Sequence, residues 1–250
     1  MTDHVIVERK GAVQTIRMNR PDKKNALTRA MYATMAAALT DGDGDEAVRV
    51  HLIAGVPGAF SSGNDIQDFL SIATGGKRGM EAHDFLLALA KSEKPIVSAA
   101  DGIAIGIGTT IHLHCDLTFA TPRTVFRTPF VDLGLVPEAG SSLLAPEAIG
   151  RQAAFAMLGL GHGIPAAEAR SMGLIHKVVG EDELEGEAFG AAEEIASKPP
   201  EALRLTRYLL RGDRTPVVER IKQEGLLFRE RLHSEEAKQA FMAFMSRKKA

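Results

Sequence analysis

Three things are scarce in this chain of 250 residues: cysteine, a surplus of charge of either sign, and long apolar runs. The single cysteine, Cys115, excludes an internal disulfide and any Cys-based zinc pattern. That fits a reducing compartment, and the cytoplasm is the expectation. With 30 Lys and Arg against 32 Asp and Glu, the formal net charge is -2. No broad field therefore draws nucleic acid or an anionic membrane, and neither is expected as a partner. An anionic ligand has to be held by local features. The longest weakly charged stretch, Gly102 to Cys115, is too short to cross a bilayer. The opening residues mix Asp3, His4, Glu8, Arg9 and Lys10 with valines, unlike a signal peptide, and Arg247-Lys248-Lys249-Ala250 is not a peroxisomal address.

What is present is an ordinary globular balance, 45% hydrophobic and 25% charged, in a chain long enough to bury a full core. Val5, Val7, Val13, Ile16 and Met18 alternate around Lys10-Gly11, which predicts a strand hairpin. Thr28 is a candidate N-cap for a helix carrying Met31, Met35, Ala38 and Leu39, broken at Asp41-Gly42-Asp43-Gly44-Asp45. Strands are predicted over 48–52, 96–100, 117–120, 124–127 and 174–179. Helices are predicted around Leu86–Leu89 and over 107–114, 140–160 and 166–172. A short apolar stretch runs from Ile66 to Ile72, and 74–79 has the composition of a mobile loop able to act as a lid. The alternation argues for an α/β layered domain. After Pro199-Pro200 almost everything is helix-forming, so a core over 1–196 and a helical region over 197–250 are expected. Phe241, Phe244 and Met245 on one helix face need a covering surface, in this chain or in another subunit.

Several simple motifs fail. Asp41, Asp43 and Asp45 begin a calcium loop, but Glu46 and Leu52 stand where Gly and Glu are required. His112 and His114 are two apart and do not share a helix face, which argues against a metal site. Gly102, Gly106 and Gly108 lack the spacing of a dinucleotide loop. Neither Ser61-Ser62 nor Ser141-Ser142 sits in a Gly-x-Ser-x-Gly elbow. Cys115, in an apolar run, reads as a small buried hydrophobe.

What remains is two glycine-bearing junctions between strand and helix, Ala59 to Ile66 and Ala99 to Gly108. A junction of this kind turns free N–H groups outward and can hold an anion without a basic side chain. The same residues also suit two tight turns with glycines for packing, and their spacing alone leaves both readings open.

Four segments in order along the chain change that balance: Asn19-Arg20-Pro21-Asp22-Lys23-Lys24-Asn25-Ala26-Leu27, Phe60 to Ile66, Asp101 to Asp116, and Ala167 to Val179. Together they resemble the enoyl-CoA hydratase/isomerase (crotonase) superfamily. The resemblance implies an α/β fold, a crotonase-like spiral of repeated ββα units with a C-terminal helical trimerisation region, assembled as a homotrimer or a dimer of trimers. It implies an acyl-CoA substrate, with no cofactor other than the coenzyme A that the substrate carries, and no metal. The thioester oxygen would be bound by the backbone N–H groups of Asn64 and Ile107, with Gly106 in the second loop. The CoA path would be lined by Lys24, Ala26, Leu27, Ser62, Gly63, Asp65 and Ile66, and approached by Phe244, Arg247 and Lys248.

The reaction depends on carboxylates. The two glutamates of hydratases match Thr110 and Phe130 here, neither of which exchanges protons in that role. A carboxylate stands instead at Glu138, in Leu133-Gly134-Leu135-Val136-Pro137-Glu138-Ala139-Gly140, a placement similar to that of Δ3,Δ2-enoyl-CoA isomerases; Ser61-Ser62-Gly63-Asn64-Asp65 resembles the loop of their peroxisomal type. Glu138 would then be the single acid/base, in a pocket bordered by Phe130, Leu135 and Val136. Other single-carboxylate reactions of the superfamily, hydration among them, and a non-catalytic acyl-CoA-binding subunit are the alternatives. By itself, Glu138 also suits a carboxylate at a helix N-terminus.

Overall fold

A computed structural model describes residues 2–66 and 79–247, apart from the side chains of Phe244, Met245 and Arg247. The predicted lid loop, most of the Ile66–Ile72 stretch, Lys248 and the side chains of Phe244 and Arg247 lie outside the described residues.

The N-terminal alternation folds as expected. β1 (Val5–Lys10) and β2 (Val13–Met18) form an antiparallel hairpin with Lys10 opposite Val13, and Gly11 supplies the left-handed turn at φ 59°. Thr28 caps α1 (Arg29–Gly44), its side chain accepting from the Met31 N–H at 3.3 Å, and Met31, Met35 and Leu39 are fully buried along one face. The predicted break at Asp41–Asp45 does not occur before Gly44. A β-carbon on Gly42 would meet the His51 and Gln14 side chains within 2.9 Å, and Asp43 accepts from Ser92 Oγ (3.0 Å) and Glu93 N (3.1 Å). Tertiary contacts therefore hold this glycine- and aspartate-rich segment in the helix.

Thereafter the chain repeats one pattern: a strand, a second short strand, then helix. β3 (Val50–Ala54) and β4 (Ala59–Ser61) precede α2 (Glu81–Lys91); β5 (Ile96–Ala100) and β6 (Ile103–Ile105) precede α3 (Ile107–Thr110), which tightens into a 3₁₀ turn over Ile111–His114; β7 (Leu117–Ala120) and β8 (Val125–Arg127) precede α4 (Ser141–Ile149) and α5 (Arg151–Leu158). β9 (Ile164–Pro165), α6 (Ala166–Ser171) and β10 (Lys177–Val178) follow. The longer strands, with the two-residue β10 at one edge, make one sheet in the order β1-β2-β3-β5-β7-β10, parallel beyond the hairpin. The short ones make another, β4-β6-β8-β9. β5 is buried along its whole length, and so is β3, although Val48, Val50 and Leu52 alternate in the sequence.

Three boundaries differ from expectation. β4 and β6 lie inside segments that read only as loops, because three residues carry too little periodicity to register. The helix predicted over 140–160 is two, since Gly150 adopts φ 76°, ψ 158° between them. The strand predicted over 174–179 shrinks to β10, because Leu174 bonds back to Ala169 O at 2.9 Å and drops with Ile175 into the core.

α7 (Leu184–Ser197) covers the outer face of the larger sheet through Leu184, Ala188 and Ala192. It is followed by α8 (Pro200–Arg211), α9 (Thr215–Leu232) and α10 (Glu235–Arg247). Val217, Ile221, Phe228 and Phe241 from α9 and α10 join the main apolar cluster, so Phe241 finds its covering surface within this chain. α8 is tied down by an ion pair that is buried at its arginine end. Arg207, 8% exposed, reaches Asp116 at 2.8 and 3.0 Å and Ser92 O at 2.7 Å. Asp116 also accepts from Ile96 N at 2.8 Å. Removing one partner of such a pair strands the other charge, so Asp116→Asn is expected to cost about 3 kcal/mol; urea unfolding of wild type and variant measures this.

Candidate active site

The first loop is built by asparagine. After a 3₁₀ turn at Pro21–Lys23, Lys24 and Asn25 both adopt left-handed backbone, φ 50° and 53°, a conformation asparagine tolerates better than most. The fully buried Asn25 side chain donates to Ala59 O (3.0 Å) and Phe60 O (3.1 Å) and accepts from Arg20 N (2.7 Å), while Ser61 Oγ donates to Asn25 O at 2.8 Å. Residues 24–27 are thereby laid alongside 62–65: Ser62 N donates to Lys24 O (2.9 Å), Leu27 N to Gly63 O (2.8 Å) and Asp65 N to Leu27 O (3.0 Å). The Arg20 guanidinium fastens the ribbon at Ala26 O (2.9 Å) and Asp65 (2.6 Å). Lys24, Ala26, Leu27, Ser62, Gly63 and Asp65 are thus neighbours, with Ile66 next along the chain.

Asn64 lies between the last two of those bonds, as the bridge partner of Leu27. In a parallel bridge the flanked residue directs its own N–H away from the partner chain. The second loop leaves β6, the parallel neighbour of β4. Gly106 turns the chain at φ 58°, and its carbonyl accepts from Thr109 and Thr110, so the helix starts at Ile107, whose N–H has no acceptor within the helix. Two glycines let the loops touch. A β-carbon on Gly108 would stand 2.7 Å from Ser61 O, and one on Gly63 3.0 Å from Ile105 O.

Glu138 faces these loops from the turn before α4. It is 7% exposed, and its Oε1 lies 3.5 Å from Asn64 Nδ2. Tyr32 Oη donates to Asn64 Oδ1 at 2.5 Å, which fixes the amide with its NH₂ toward Glu138. Ala139, the next residue, has φ 66°, a conformation that costs alanine on the order of 1 kcal/mol and needs support from its surroundings. His114 Nε2 gives part of that support, bonding Ala139 O at 2.7 Å. Glu224 gives the rest, accepting from Gly140 N (2.6 Å), Ser142 N (3.0 Å) and Ser142 Oγ (2.6 Å).

Thr110 and Phe130, which the resemblance matches to the two glutamates of hydratases, are both buried here. Thr110 Oγ1 has no hydrogen-bond partner among the described residues, and Phe130 packs in the main cluster with Leu135 and, at its edge, Val136. The two histidines hold protein groups: His112 Nδ1 lies 2.9 Å from Ser98 Oγ, and His114 supports Ala139 as above. Burial pushes the pKa of each down to about 3, so both are neutral. Burial likewise pushes the Cys115 thiol up to about 12, which leaves it unreactive.

Three residues that matter here were not singled out from the sequence: Tyr32, His114 as a turn support, and Glu224. Glu224 carried a legible signal. It occupies a buried position of the stripe Val217, Ile221, Phe228 and Leu232 on α9, where a charge requires partners. Tyr32, on the buried face of α1, carried a weaker one.

Comparison with known proteins shows the family to which this fold belongs. The sequence profile of the family described as enoyl-CoA hydratase/isomerase matches residues 8–250. The chain is 34% identical to enoyl-CoA delta isomerase 2 of Rattus norvegicus over 98% of its own length but only 64% of that relative's. It is 32% identical to a probable enoyl-CoA hydratase of Rhizobium meliloti, covering 98% of this chain and 96% of that one. Among solved structures, OdaA of Pseudomonas aeruginosa superimposes with a TM-score of 0.93 at 40% identity, covering 98% of this chain and 99% of that one. An enoyl-CoA hydratase/isomerase from Pseudoalteromonas atlantica superimposes with a TM-score of 0.93 at 37% identity, covering 98% of each chain.

The neutral histidines make a prediction about acid. Below pH 6.5 the unfolded chain takes up protons at His112 and His114 that the folded protein refuses until about pH 3, so stability falls as pH falls through that window. Urea titrations are expected to show a loss of about 2 kcal/mol per histidine between pH 6.5 and 5. His114→Gln, whose amide can still donate to Ala139 O, is expected to remove about half of that slope.

Proposed function

The chain belongs to the enoyl-CoA hydratase/isomerase family, and within it we propose that this enzyme moves a double bond of an acyl-CoA thioester from the Δ3 to the Δ2 position, with Glu138 as its single acid/base. One observation carries the reading: a buried carboxylate at 138, beside Asn64, combined with threonine and phenylalanine at the two positions where hydratases carry glutamate. The fold is the crotonase spiral of ββα turns, which its solved relatives share.

In the proposed reaction the thioester oxygen accepts from the Asn64 and Ile107 N–H groups. Glu138 takes a proton from C2, and the C–H pair becomes the C1–C2 π bond of a dienolate whose negative charge lies on that oxygen. Each donor contributes about 3 kcal/mol where charge grows. The carboxylic acid then gives its proton to C4. The C3–C4 π pair forms the new C4–H bond, the C1–C2 π pair moves to C2–C3, the C1–O double bond re-forms, and a conjugated 2-enoyl thioester leaves with Glu138 again ionised. One carboxylate suffices because the proton lost and the proton gained pass through the same group. Phe130, Leu135 and Val136 supply the apolar surround that keeps water from competing.

The residues around the first loop, Lys24, Ala26, Leu27, Ser62, Gly63, Asp65 and Ile66, would hold the CoA moiety, with Gly106 shaping the second loop. The proposal extends to self-association as a homotrimer or a dimer of trimers. Supporting it, α8 presents Leu205, Tyr208 and Leu209 on one exposed face, with Leu209 79% exposed and Leu210 83%. Sedimentation equilibrium is expected to report three or six chains, and a monomer would refute that part.

For the reaction, wild type and Glu138→Gln are compared on a 3-enoyl-CoA and a 2-enoyl-CoA with product identification. Wild type is expected to generate conjugated product from the first, and the variant to lose about 10²–10⁴-fold in kcat. A fully active variant, or a wild type that only hydrates 2-enoyl-CoA, would sink the mechanism; binding without turnover would point to a non-catalytic acyl-CoA subunit.

A further inference from the structure

We infer that Glu224, on α9, is a positioning residue for Glu138, its carboxylate clamping the turn that aims Glu138 at Asn64. The inference rests on the reading of Glu138 as the acid/base, and it adds a residue from the C-terminal helices to the machinery of that site.

The turn from Glu138 into α4 cannot hold itself. Ala139 and Gly140 are both left-handed, and Gly140, as the N-cap of α4, has no side chain with which to bond the first N–H groups of the helix. Glu224 supplies that cap from a position 82 residues away in sequence to Ser142. One of its oxygens accepts from Gly140 N; the other accepts from Ser142 N and Ser142 Oγ, and Arg220, one turn earlier on α9, donates to Ser142 Oγ at 3.0 Å. The carboxylate is 5% exposed. Burial pushes its pKa up, opposed by those three bonds and by Arg220. A buried acid held by three donors, two residues past Glu138 in the chain it grips, has no surface role to explain it.

The geometry identifies what the clamp controls. Glu138 O accepts from Ser141 N at 3.1 Å, so Gly140, which Glu224 grips, lies inside the turn that begins at Glu138. With His114 holding Ala139 O on one side and Glu224 holding Gly140 and Ser142 on the other, the Glu138 backbone is bracketed. A carboxylate that must serve both C2 and C4 of one bound substrate needs that definition, since small misplacements of a catalytic group cost large factors in rate. Glutamine at 224 fills the same volume but offers a single acceptor oxygen to three donors.

The test uses Glu224→Gln and the milder Ser142→Ala, which removes one of the three bonds. Crystal structures of wild type and both variants report the distance from the Glu138 carboxylate to Asn64 Nδ2. Turnover of C2-deuterated 3-enoyl-CoA reports how much label reaches C4. Glu224→Gln is expected to displace the Glu138 carboxylate by about 1 Å or more, and to lower kcat at least tenfold with KM changed less than twofold. It is also expected to reduce the label retained per turnover. Ser142→Ala is expected to move each readout the same way by less, and it serves alone should the Gln variant not fold. A loss of folded protein cannot change label retained per turnover, so a fall in kcat with unchanged retention and an unmoved Glu138 overturns the inference. If wild type does not turn over 3-enoyl-CoA, the isomerase reading fails by itself. The crystallographic arm then still decides: an unmoved carboxylate refutes the clamp, and a displaced one upholds it.

Discussion

The carbonyl oxygen of Ser61 stands 2.7 Å from where a β-carbon of residue 108 would be, and the rest of the site depends on that close approach. Side chains cannot bring two backbones together so tightly; only the lack of one at Gly108 allows it. The parallel pairing of β4 with β6 sets the direction in which both loops leave the smaller sheet, and Gly63 and Gly108 set their separation. Asn25 then holds the outer ribbon, because its buried amide is bonded to Ala59, Phe60 and Arg20 at once. Loops that present main-chain N–H groups need this kind of support, since nothing in their own side chains fixes where those groups point.

Around that backbone frame, several buried polar groups act as supports. His112 and His114 are uncharged supports. Arg207 is paired with Asp116 and ties α8 to the end of β5, while Glu224 ties α9 to the turn that carries Glu138. The C-terminal helices therefore do more than cover apolar surface. Through one carboxylate they reach the turn that carries the only buried glutamate facing the two loops among the described residues.

Much of the fold was legible in residues. The hairpin around Gly11, the capped helix after Thr28, the strand at 96–100 and the two glycine junctions were all visible, since each rests on local periodicity or turn chemistry. What escaped was decided by contacts. The Asp41–Gly44 segment reads as a breaker yet stays helical, because His51 and Gln14 press on Gly42 and Asp43 binds the Ser92 loop. β4 and β6 are too short to register alone and exist as strands because they pair with each other. Tyr32 and Glu224 act on groups 32 and 84 residues away, and no spacing rule connects them.

The sequence by itself therefore determined the alternation of strands and helices, the two glycine loops, and which positions carry a carboxylate: 138, and neither 110 nor 130. Those are properties of residue type and order. The tertiary structure alone decided that Asn64 meets both Tyr32 and Glu138, and that a helix near the C-terminus caps the turn that follows Glu138. Hydrogen bonds depend on the placement of atoms to a few tenths of an ångström, and that placement is set by packing between distant segments rather than by any one of them.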